Sequence, residues 1–90
     1  MDYQKEFKKT LLSKPNCILG RQGLTDEFIK HVAKLLKRYK IIKVKALKSI
    51  TMSLNINELA NKLSRLTSSH LLDVRGKIFI LSLQDIKKNN

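Results

Sequence analysis

Asn16-Cys17-Ile18-Leu19-Gly20-Arg21-Gln22-Gly23-Leu24-Thr25-Asp26 reads as a short strand over Asn16 to Leu19, a loop with two glycines, and the capped start of a helix. Glycine permits positive φ and has no Cβ, so another backbone can come close to such a loop. The first amides of the helix that follows have no partner inside it and can point at an anion. Thr25 is a suitable N-cap, and Asp26 and Glu27 suit the positive end of the helix dipole. Two glycines at this spacing are by themselves more often turn geometry, but a GxxG loop can also clamp a nucleic-acid backbone. Arg21 at the tip can give a two-pronged hydrogen bond to phosphate, and Gln22 can reach a sugar or a base edge.

Downstream, Phe28, Val32, Leu35, Leu36 and Tyr39 recur at helical spacing, with Ile29 at the edge of their stripe. At about 100° per residue, Lys30, Lys34 and Lys37 fall almost opposite that stripe, with Arg38 at their margin. A basic ridge therefore runs back from the glycine loop. From Ile41 to Lys48 the chain alternates, with Ile42, Val44 and Ala46 on one face and Lys43, Lys45 and Lys48 outside it. That predicts a strand buried on one face, whose lysines extend the basic surface.

Upstream, Tyr3, Phe7 and Leu11 recur every four residues, which predicts an amphipathic helix ending before Lys14-Pro15. Asn55-Ile56-Asn57-Glu58 has the form of a capping box and opens a helix with Ile56, Leu59, Ala60, Leu63 and Leu66 facing inward. Ser49 to Leu54, ahead of it, reads as a mobile loop. Leu71 to Val74, a connection at Arg75-Gly76, and Lys77 to Leu83 form a closing hairpin. Ile78-Phe79-Ile80-Leu81 is apolar on both faces and so predicts a central strand. The polar residues 85–90 are expected to fray. The expected fold is a single two-layer α/β (α+β) domain over residues 1–84, in the order α-β-α-β-α-β-β. In its four-stranded mixed sheet the strand-helix-strand connections would be right-handed crossovers between roughly parallel neighbours, and the final hairpin would add an antiparallel pair.

The 90 residues carry 19 lysines and arginines against 7 acids, a net charge of +12. Such an excess costs self-repulsion, and a polyanionic partner is the common reason for it. No apolar run approaches the roughly 20 residues of a membrane span. The polar start, Met1 to Lys5, is read as lacking a secretory signal, which makes a cytoplasmic location the expectation. The lone Cys17 cannot form an internal disulfide and reads as core filling. His31 reads as a surface residue and His70 as a helix-end residue able to cap carbonyls. No Cys/His spacing fits zinc. No catalytic group, metal or cofactor is expected. The few aromatics fit core stripes, which predicts recognition of backbone and shape over bases.

The run from Gly20 to Ile29, then Ile41-Ile42-Lys43-Val44-Lys45, then Val74-Arg75-Gly76-Lys77-Ile78, resembles the CRM domain. This is the chloroplast RNA splicing and ribosome maturation domain, whose stand-alone prokaryotic members are the YhbY-like proteins. The resemblance runs from roughly Phe7 to Leu83. It implies a fold similar to the C-terminal domain of bacterial translation initiation factor three, with a glycine loop likened to that of KH domains. It also implies RNA binding, namely to large-subunit rRNA or pre-ribosomal particles during assembly, while plant members act in group II intron splicing; the sequence shows no obvious dimer surface, so a non-catalytic monomer is expected. Carried onto this chain, the RNA-binding loop is Gly20, Arg21, Gln22 and Gly23. Lys30, Lys34, Lys43 and Lys45 are its basic neighbours, and Lys37 joins them from the helix periodicity. Two rivals remain at this level: a basic chromatin protein of the Alba type binding duplex DNA, and an adaptor docking an acidic protein.

Overall fold

Ile41–Ala46 is the strand around which the other elements are arranged. The computed structural model describes residues 3–83, so the boundary expected after residue 84 and the tail beyond it lie outside the described residues. In chain order the elements are α1 (Tyr3–Leu12), β1 (Cys17–Leu19), α2 (Asp26–Tyr39), β2 (Ile41–Ala46), α3 (Lys48–Thr51), α4 (Ile56–Leu66), β3 (His70–Arg75) and β4 (Ile78–Ser82). Among the described residues the sheet has four strands in the order β1-β2-β4-β3. β1 and β2 are parallel neighbours, as expected of a strand-helix-strand connection, but β3 is not beside β2: β4 inserts between them, and the other pairs are antiparallel. β4 is therefore central, which explains its apolar residues on both faces.

Alternation along β2 divides the core. Ile42, Val44 and Ala46, with Phe79 and Leu81 of β4, meet Val32 and Leu36 of α2 and Leu59, Ala60 and Leu63 of α4. Ile41 and Ile80 face the other way, where with Leu72 they meet Phe7 and Leu11 of α1. The sheet and the pair α2 and α4 make the expected two layers, and α1 adds partial cover behind the sheet. Phe79 is fully buried in the larger cluster, and cutting it to alanine would cost about 3–5 kcal/mol.

Four local features differ from the sequence-based expectation. Ser49 to Leu54 is no simple loop: the one-turn helix α3, pinned by the buried Ile50, runs into it from Lys48, where the alternation predicts strand. Leu66, the last residue of α4, is 49% exposed because the helix stops there and turns away. The hairpin connection is Gly76-Lys77, one residue later than expected, since Arg75 still pairs with Ile78. Gly76 takes φ +59° at the first loop position, which is the role of glycine in a type II′ connection. Finally, His70 caps no helix; it opens β3 opposite Ser82.

Backbone closes α4 instead. Ser68 has φ +54°, its N–H donates to the Arg65 carbonyl at 3.3 Å, and the Ser69 N–H donates to the Ser64 carbonyl at 2.8 Å. This is a Schellman closure. In β3 an irregularity between Leu71 and Asp73 inserts Leu72. The extra residue is why Leu71 and Val74, three apart, both pack on the larger core while Leu72 joins the smaller one.

Candidate nucleic-acid interface

The turn that follows β1 is closed by the Gly23 N–H, which donates to the Gly20 carbonyl at 3.0 Å. That bond puts Arg21 and Gln22 at the two corners of a β-turn, and both are exposed. Gly23 has φ +73°, a conformation that disfavours any side chain. A Cβ built there would lie 3.7 Å from Ile50 Cδ1, so the turn rests on α3. The chain then enters α2 through Thr25, whose hydroxyl oxygen accepts from the Phe28 N–H at 3.1 Å. Gly20, Arg21, Gln22, Gly23, Thr25 and Phe28 line a shallow depression of about 250 Å³. All four loop residues expected to bind are thus gathered at one surface site. Asp26 and Glu27 are exposed in the first turn of α2, and their charge opposes a phosphate set directly on the helix start.

Lys30, Lys34 and Lys37 are exposed along α2, and the rise of an α-helix spreads them over about 10 Å. Lys45 of β2 is exposed as well. Lys43 is not, and the structure removes it from the basic surface. It is 8% exposed, and its Nζ donates to the Leu11 carbonyl at 2.8 Å and the Ser13 carbonyl at 2.7 Å. Its own N–H donates to Asn16 Oδ1 at 2.8 Å, and the Asn16 N–H returns a bond of 2.8 Å to the Lys43 carbonyl. Alternation told correctly which side of β2 Lys43 lies on, but α1 covers that side.

Other basic residues reach the loop through pairings that the sequence does not announce. The Ala46 N–H donates to the Lys77 carbonyl at 2.7 Å, and the Leu47 N–H to the Leu19 carbonyl at 3.0 Å. Lys48 is thereby held beside the end of β1, where the glycine turn begins, and Lys77 beside the end of β2, one strand further on. The Arg75-Gly76-Lys77 hairpin is visible in the sequence, but only the strand order, with β4 next to β2, brings it to the same end of the sheet as the glycine turn.

Tyr39, expected in the core stripe, is 45% exposed at the end of α2, with the Arg38 guanidinium 5.3 Å from its ring centroid. Cys17 is buried, and desolvation pushes its thiol up to about 11, which suits packing and not nucleophilic chemistry. Among the described residues no group of three or more His, Cys, Asp or Glu side chains is placed to hold a metal ion. No helix among them is long and apolar enough to cross a membrane.

The sequence profile of the CRS1 / YhbY (CRM) domain matches residues 4–81. No curated protein matches the chain significantly. Among solved structures the chain is similar to a hypothetical protein from Staphylococcus aureus, whose solution structure is described as that of a proposed RNA-binding protein. The TM-score is 0.73 at 23% identity, covering 91% of this chain and 83% of that one. A likeness at that identity speaks for the fold.

Proposed function

This chain belongs to the CRS1/YhbY (CRM) domain family, and from that premise we propose that it is a non-catalytic RNA-binding protein acting on large-subunit rRNA during ribosome assembly. One observation carries the reading: an exposed GxxG turn, with Arg21 and Gln22 at its corners, opens directly into a helix bearing exposed Lys30, Lys34 and Lys37. The turn offers backbone with no side chain at Gly20, so a phosphodiester can approach it closely. Arg21 supplies a forked donor to phosphate. The α2 lysines neutralise the phosphates that follow, and Lys45 does the same from the sheet. Such contacts hold a strand in register without reading much of its sequence.

The similarity to the Staphylococcus aureus protein, itself proposed to bind RNA, supports the same reading. Ultraviolet crosslinking in the native cells, followed by sequencing of the attached nucleic acid, tests it. Reads concentrated in a few segments of large-subunit rRNA or its precursor are expected. Reads spread over genomic DNA would overturn the proposal in favour of a chromatin role. A stable protein complex with no attached nucleic acid would overturn it in favour of an adaptor.

A further inference from the structure

We propose that the half of the sheet left bare by α1 is a second RNA-contact surface, continuous with the glycine turn, across which a strand leaving that turn lies. The inference rests on the RNA-binding reading and gives the strand a path.

Pairing register defines the surface. Ile18 pairs with Lys45, Lys45 with Ile78, and Ile78 with Arg75, so these four residues form one row across all four strands. Residues directly opposite one another share a face. The face is the one that carries Lys43, two residues before Lys45, and therefore the one on which α1 packs. Phe7 and Leu11 of α1 cover Ile41, Leu72 and Ile80, and the Lys43 ammonium meets the end of the helix. Cover stops there. Ile18 is 55% exposed, Lys45 and Arg75 are exposed, and Ile78 is half-buried.

This row adjoins the turn. The next pair along the strands is Leu19 with Ala46, and Gly20 follows. Three strand spacings make the row roughly 14 Å long, room for a few nucleotides. Its chemistry is mixed in a useful way. Exposed isoleucines offer apolar surface to riboses and base faces, while Lys45, Arg75 and the neighbouring Lys77 offer charge to phosphates. Arg75 Nε donates to Asp73 at 2.6 Å, an ion pair within β3 that offsets part of the Arg75 charge and leaves Lys45 and Lys77 as the main cations of the row. α2 packs on the opposite face of the sheet. The lysine ridge and this row therefore leave the turn in two directions, one for each arm of a bound strand.

The test is fluorescence anisotropy of the full chain with a twelve-nucleotide oligouridylate over a range of salt. Circular dichroism checks folding of each variant. The double variant Lys45→Gln with Lys77→Gln is expected to weaken binding about tenfold and to flatten the slope of log affinity against log salt by about 1.4, two phosphates at about 0.7 each. Ile18→Ser is expected to weaken binding several-fold with the slope unchanged, as loss of an apolar contact would. Arg21→Gln is the reference. If the sheet variants keep wild-type affinity and slope while Arg21→Gln weakens binding, the strand does not cross the sheet, Lys45 leaves the contact set, and the reading of the loop and the α2 lysines stands. If Arg21→Gln has no effect either, or the unaltered protein fails to bind, both readings fall.

Discussion

The Lys43 ammonium nitrogen and the Leu11 carbonyl oxygen lie 2.8 Å apart, a hydrogen bond that ties the middle of the sheet to the C-terminal end of α1. The Ser13 carbonyl accepts from the same nitrogen, and a cation is favourable at the negative end of a helix dipole. Lys43→Met keeps the stem and removes the donor. It is expected to lower stability by about 1–3 kcal/mol in urea unfolding, with RNA affinity of the folded protein unchanged within about twofold. Weaker binding at full stability would return Lys43 to the contact surface.

The two glycines of the turn have different duties. Gly23 has φ +73°, so Gly23→Ala is expected to cost about 1–2 kcal/mol through backbone strain, with no clash at Ile50. Gly20 has no positive φ, and a Cβ there meets nothing within 4 Å. Gly20→Ala is accordingly expected to leave stability within about 0.5 kcal/mol of the unaltered protein. Equal losses at both positions in thermal unfolding would contradict this division.

Burial raises the Cys17 thiol from an ordinary value of 9.0 to about 11. Between those values the unfolded chain has lost this proton and the folded chain keeps it, so the folded state binds more protons and stability falls as pH rises. Across that window the unaltered protein is expected to lose more stability than Cys17→Ala. At neutral pH a thiol reagent is expected to react far more slowly with the folded chain than with the chain in urea. Immediate reaction with the folded protein would contradict the burial.

Much of this architecture is written locally. Thr25 and Asn55 cap their helices through their own side chains, Asn55 accepting from the Asn57 and Glu58 N–H groups at 2.8 and 3.2 Å. The period of two along β2 and the doubly apolar β4 place those strands correctly, because side-chain periodicity reflects burial directly. What covers a face is not written locally. Lys43 alternates like a solvent-facing lysine, yet a helix more than thirty residues upstream closes over it. Arg75 reads as a turn residue and Lys77 as the start of a strand, and nothing in either says which strand lies alongside until β4 is seen to pair with β2. Ile50 has no periodic neighbours to mark it as an anchor, so α3 was hidden within an apparent loop. Tyr39 fits the stripe of α2 by angle, but it sits at the helix end, where the core has run out.

The most direct test of the central claim compares Gly20→Asp with the unaltered chain in binding a single-stranded RNA over a range of salt. The substitution fits the space at Gly20 and sets a carboxylate where a phosphate is to lie. Contact with about four to six phosphates gives the unaltered protein a slope of log affinity against log salt of roughly −3 to −4. Gly20→Asp, folded and equally stable, is predicted to bind at least about tenfold more weakly with a flatter slope. A folded Gly20→Asp protein with undiminished affinity would remove the glycine turn from the mechanism.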